Sequence, residues 1–177
     1  AFPDPRADAD TVLARLLKGP VSVELTPKGS KLTVELSRDL AAEAIRYMLY
    51  QPEGASRIPL FLNLAARGNF APLAEAALNY RKWIVATGSN GMYLSVTCAE
   101  DLPTIAPGVG ELNGENTFLG AYRLVQQRAA CALWPQAKLA PGYAEPTRSN
   151  AAALIVTGQW DPVTPPAYGD TAAKHLP

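Results

Sequence analysis

The sequence predicts an α/β chain: a mainly α-helical portion carrying one β-hairpin, followed by a single core parallel strand and its helix. Three observations predict it. Apolar residues recur at helical spacing through most of residues 9–133. Two five-residue runs, V-S-V-E-L at 21–25 and L-T-V-E-L at 32–36, alternate apolar and polar side chains, with turn chemistry at Pro27-Lys28-Gly29-Ser30 between them. Finally, an apolar run at 152–157, A-A-L-I-V-T, stops abruptly at Gly158-Gln159-Trp160-Asp161, as a buried parallel strand does when it delivers a side chain at its carboxyl end.

Each element has its own signal. Residues 9–18 place Val12, Leu13, Leu16 and Leu17 on one helical face, and Gly19-Pro20 stops them. After the hairpin, Ser37 and Asp39 open a helix running through Tyr50, whose apolar face is Leu40, Ala44, Ile45, Met48 and Leu49; Gln51-Pro52-Glu53-Gly54 breaks it. Residues 55–67 and 71–87 read as two further helices, punctuated by Gly68-Asn69 and by Gly88. Residues 91–101 leave two readings open, because Tyr93, Leu94, Val96 and Cys98 fit a half-buried extended segment or a helical turn equally well. Beyond the Gly/Pro-rich loop at 103–114, residues 117–133 return to a helical pattern through Phe118, Tyr122, Val125 and Ala129. Residues 141–150 have linker composition, and the boundary falls near Pro146, dividing the chain into 1–146 and 147–177. Thr164-Pro165-Pro166 then resembles a capped helix entry, and residues 168–176 form a helix packing back on the strand.

Composition removes several function classes. With 177 residues, 48% of them hydrophobic, the chain can bury a real core. Sixteen Lys and Arg balance sixteen Asp and Glu, and no basic stripe exists to neutralise phosphates, which argues against nucleic-acid binding. No apolar run reaches the roughly 18 to 20 residues of a membrane span, and the opening A-F-P-D-P-R-A-D-A-D lacks the basic-then-apolar order of a secretion signal. Cys98 and Cys131 with one distant histidine do not make a four-ligand zinc site, so no metal and no cofactor are expected. From the residues alone, the two cysteines read either as a bridge or as two buried thiols.

Asp161 carries the sharpest chemical hypothesis. The carboxyl edge of an open α/β sheet is where chemistry gathers, and an acid just past a strand can hold the imidazole of a Ser-His-Asp triad. An Asp before Pro is also an ordinary turn-former. The chain contains no G-x-S-x-G elbow; Gly88-Ser89-Asn90-Gly91 has the wrong spacing and reads as a helix C-cap and turn. The only histidine, His175, lies fourteen residues beyond Asp161 at a helix end, where its charge would complement the helix carboxyl terminus. The aromatics Trp83, Trp134, Trp160, Tyr93 and Tyr122 read as core or as the lining of an apolar cleft.

Taken in order, M-Y-L-S-V-T-C-A-E-D-L-P at 92–103, C-A-L-W-P at 131–135 and L-I-V-T-G-Q-W-D-P-V-T-P-P at 154–166 resemble one family. It is the tripeptidyl-aminopeptidase-like, prolyl-aminopeptidase-related serine peptidase branch of the α/β hydrolases, and the likeness is to its C-terminal half. The resemblance implies an α/β hydrolase fragment, with a helical lid at 1–146 and, at 147–177, part of the core carrying Asp161 as the triad acid. It also implies a Cys98–Cys131 disulfide and a secreted or periplasmic parent, because members are often exported and pair lid cysteines. An aminopeptidase must recognise a free α-ammonium group; the resemblance places Glu100 and Asp101 in a lid segment over the active site, where Glu100, and after it Asp101, reads as the complementary charge or as a helix cap or lid salt bridge. Trp160, beside the acid, reads either as packing under the strand end or as a substrate contact. The parent would release short peptides or residues from a free N-terminus by acyl transfer without a cofactor. The serine and histidine would come from an N-terminal catalytic half and a C-terminal segment outside these residues, so this chain alone is expected to be inactive. An esterase or lipase-type hydrolase, or a non-catalytic lid or binding module, are the competing readings.

Overall fold

A computed structural model describes residues 2–114 and 117–176. The chain divides into two compact units, Ala1–Pro135 and Gln136–Pro177. The first is helix-rich and contains the one sheet found among the described residues, a two-stranded antiparallel hairpin.

Helix α1 (Pro5–Leu17) begins earlier than its apolar periodicity. Asp4 caps it by accepting the amides of Arg6 and Ala7, and Pro5 occupies the first turn, where its missing N–H costs nothing. Periodicity marks the buried face of a helix, and the cap lies outside that face. Strands β1 (Val21–Leu25) and β2 (Leu32–Leu36) form the predicted hairpin, with Val21 opposite Leu36 and Leu25 opposite Leu32. Ser37 then caps α2 (Arg38–Met48), its hydroxyl accepting the Leu40 amide. The Gln51-Pro52-Glu53-Gly54 stretch ends α2 as expected, yet it also starts α3 (Pro52–Ala66), again with proline at the tolerant first position. Helix α4 (Ala71–Thr87) has the predicted bounds.

The open question at 91–101 resolves as helix: α5 (Asn90–Val96) runs into a wide π turn, Thr97–Asp101. A short α6 (Val109–Gly114) precedes α7 (Tyr122–Cys131). Helix α7 is shorter than the pattern at 117–133 because residues 117–120 are a turn, and its carbonyls are taken by Arg38. That guanidinium donates to the carbonyl oxygens of Phe118 at 3.1 Å, Leu119 at 3.3 Å and Thr117 at 3.5 Å. Gly120 is required there: its φ is +60°, and a Cβ would stand 2.7 Å from the Arg38 guanidinium.

The core of this unit joins α1, the hairpin and α2–α4. Val12 and Leu16 from α1, Val23 and Leu36 from the hairpin, Ile45 from α2, Leu62 from α3 and Leu73 from α4 are buried together, with alanines 41, 44, 74 and 77 letting the helices approach closely. Cys98 and Cys131, both buried, form a disulfide across 33 residues that ties the π turn to the end of α7.

The second unit departs from the sequence expectation. Residues 152–158 carry no ladder hydrogen bonds and no strand assignment, and the core parallel strand is not formed. The physical reason is that a strand exists by pairing, and no neighbouring strand among the described residues is paired with this one. Leu154 and Val156 are 88% and 82% exposed. Helix α8 (Pro166–Ala173) does return onto the segment: at Gly169 a Cβ would lie 2.7 Å from Thr157 Cγ2 and 3.1 Å from Ile155 Cγ2, so only glycine allows the approach. Pro165, not Thr164, holds the N-cap position of α8, since the Thr164 hydroxyl is engaged elsewhere.

Candidate functional site

Gly158 to Asp161 closes as a turn, with the Asp161 amide donating to the Gly158 carbonyl at 3.1 Å. This turn presents the Asp161 carboxylate to the chain that follows. Oδ1 accepts the amides of Val163 at 2.8 Å and Thr164 at 3.0 Å, and Oδ2 accepts the Thr164 hydroxyl at 2.8 Å. These donors favour the charged form, so the carboxyl group is held below its ordinary range, first by the Thr164 amide, then by that of Val163, then by the Thr164 hydroxyl. The turn-forming role and the acid role are therefore compatible. Oδ1 is saturated by two amides, while Oδ2 takes one donor among the described residues and keeps room for a second.

Trp160 stands 88% exposed. His175 follows α8 as predicted, but it is less solvated than a free helix-end histidine: its Nδ1 is shielded and has no hydrogen-bond partner among the described residues.

In the helical unit, the π turn sets Glu100 and Asp101 side by side just after buried Cys98. Gln127 reinforces the bridge, its amide donating to Cys131 Sγ at 3.3 Å and to the Thr97 hydroxyl. Of the two acids, Asp101 borders a cavity of about 430 Å³ whose walls include Tyr93, Leu102, Leu119 and Leu124; Glu100 does not.

Sequence reasoning missed a cluster on α2 and α4. The Tyr47 ring lies 4.9 Å from those of Tyr80 and Trp83 and 5.7 Å from that of Tyr50. Beside it, buried Glu43 meets both Arg46 and Arg123 at 3.5 Å. A signal was present: Tyr47/Tyr50 and Tyr80/Trp83 share the three-residue spacing that stacks side chains on one helical face. Burial raises the hydroxyl pKa of Tyr47 and of Tyr80, so both rings remain neutral hydrogen-bond donors at any physiological pH.

Residues 116–177 match the family model described as TAP-like protein, an α/β-hydrolase family. Over this segment the chain is similar to the TAP-like α/β hydrolases. Asp161 and Cys131 lie within the TAP-like segment, whereas Cys98, Glu100 and Asp101 precede it. No curated protein and no solved structure matches the chain. The disulfide is consistent with an extracellular location, and among the described residues no helix is long and apolar enough to cross a membrane.

Proposed function

We propose that this chain supplies the lid and the triad acid of a serine peptidase that releases short peptides or single residues from a free N-terminus. The observation that carries the reading is the TAP-like match over the segment containing the Asp161 turn. In that role Asp161 Oδ2 would accept Nδ1–H of a histidine, fix its tautomer and stabilise the imidazolium formed when serine attacks the scissile carbonyl. The two amides on Oδ1 support the role, because they orient the carboxylate without consuming the oxygen the histidine needs. Serine and histidine come from sequence outside these 177 residues. The exposed apolar side chains of Leu154 and Val156 support this too, since they suit a central strand that the rest of a parallel sheet covers.

The carboxylates of Asp101 and Glu100 are the proposed receptors for the substrate's α-ammonium group. Asp101 leads because it is the carboxylate bordering a cavity whose walls mix leucines with Thr97, Gln127 and Arg123, where it can form a charge-assisted hydrogen bond to an ammonium. Trp160 is a proposed apolar contact beside the acid. The test uses the complete parent protein with a free-amine tripeptide chromogenic substrate and its N-blocked counterpart. Turnover should be abolished by a serine-directed phosphonate, and Asp161→Asn should lower kcat about 10⁴-fold. Asp101→Asn should raise KM for the free-amine substrate and spare the blocked one. Equal losses on both substrates would reject the aminopeptidase assignment and leave an esterase-type hydrolase.

A further inference from the structure

The aromatic cluster of α2 and α4 borders a pocket of about 540 Å³, within the range of small-ligand sites. Among the described residues, its lining contains two guanidinium groups, Arg46 and Arg123, and no carboxylate. Glu43, the carboxylate that meets both, lies outside the lining and is 5% exposed. One negative charge set between two positive ones leaves one positive charge uncompensated at the pocket wall. The arginines are held in place by rings: Arg46 Cζ lies 5.4 Å from the Tyr50 centroid, and Arg123 lies 5.7 Å from that of Tyr93 while donating to its hydroxyl at 2.8 Å. In the same lining, Trp83 remains 47% exposed although it contacts Tyr47, so a large aromatic face is left for something else to cover.

We propose that this pocket binds a monocarboxylate with an aromatic body, its carboxylate bridging Arg46 and Arg123 and its ring lying against Trp83 and Tyr47. A guanidinium presents a planar fork of donors that matches a carboxylate, and the hydrogen bonds and ion pairs described use one donor of Arg46 and two of Arg123. A single uncompensated charge balances a monocarboxylate; a phosphate monoester, nearly doubly charged, would be left under-neutralised. The carboxylate can belong to a free small acid or to the C-terminus of a short peptide. The proposal does not rest on the peptidase reading, because neither Asp161 nor a catalytic serine enters it.

The test is a titration of the ¹⁵N-labelled chain, following the Trp83 indole and the arginine Nε–H signals. The probes are N-acetyl-L-phenylalanine, its C-terminal amide, the tripeptide Gly-Gly-Phe and its amide. Saturable shifts of Trp83 and Arg123 with the acids, at least tenfold tighter than with the matching amides, are the expected result. Binding confined to the N-acetyl acid identifies free acids as the ligand source, and tighter binding of the tripeptide identifies peptide C-termini. Arg123→Gln should weaken the acids at least tenfold and leave the amides unchanged, with Arg123→Lys retaining part of the affinity. Equal binding of acids and amides, shifts mapping away from Trp83 and Arg123, or no binding of either acid would overturn the proposal. The acid-to-amide comparison on the unsubstituted chain decides the matter even if Arg123→Gln fails to fold.

Discussion

Thr164 does two things for Asp161, donating both its amide and its hydroxyl, and this sets how the turn answers to acid. The folded carboxyl is held below the ordinary value of 3.8, so the group binds its proton less readily in the folded chain than in the unfolded one. The stabilisation it contributes is therefore complete above pH 3.8 and is lost as pH falls through the lower, folded value. A ¹³C titration of the Asp161 carboxyl should give a midpoint below 3.8. Thr164→Val removes only the hydroxyl donor, and that midpoint should move upward while the two amide bonds persist. A midpoint unmoved by the substitution would mean that the hydroxyl does not hold the carboxylate. Of Asp161, the turn-forming reading was legible in the sequence, because an Asp before Pro readily accepts the amides two and three residues on, as it does here. Arg46, Tyr47 and Arg123 were not, because each looks like an ordinary helix residue until tertiary packing brings α2, α4 and α7 around Glu43.

Among elements, the disulfide binds the two that the sequence described least well. The extent of α7 and the nature of residues 91–101 were both obscured, since short apolar runs do not distinguish a turn from an extended segment. The bridge closes a loop of 33 residues, and its removal should release about 3 to 4 kcal/mol of unfolded-state entropy. Cys98→Ser with Cys131→Ser should therefore lower the unfolding free energy of the helical unit, extrapolated from urea titration, by about 3 to 4 kcal/mol. Because both sulfurs are buried, mild reductant should leave the native protein intact and open the bridge only after denaturation. Rapid reduction of the folded chain would contradict this. By contrast, the hairpin and α4 were read closely from sequence alone: period-two alternation around a Pro-Lys-Gly-Ser turn, and a long apolar period ended by glycine, are signals that local chemistry fixes by itself. The parallel strand at 152–157 failed for the opposite reason, since a period-based signal does not supply pairing, and no strand pairs with it among the described residues.

For the whole molecule, that unpaired segment has consequences in solution. Leu154 and Val156 form an exposed β-branched and aliphatic run with free backbone donors and acceptors, the kind of edge that templates pairing with another chain. Leu154→Lys combined with Val156→Lys should reduce concentration-dependent light scattering several-fold, with the helical circular dichroism unchanged because the helical unit has its own core. Scattering unaffected by the double substitution would place association elsewhere on the surface. The Arg38 clamp, finally, gives the molecule an order of assembly during synthesis. Arg38 and Leu119 are 81 residues apart, and at roughly 5 to 20 residues per second the ribosome delivers the second about 4 to 16 s after the first. Helix α1 and the hairpin are translated before Arg38, and α2–α4 are completed within that interval, so the nascent chain can bury its core while Arg38 still waits in water. The turn at 117–120 is then captured by a finished surface, and the C-terminal part of the unit is fitted onto a scaffold already made.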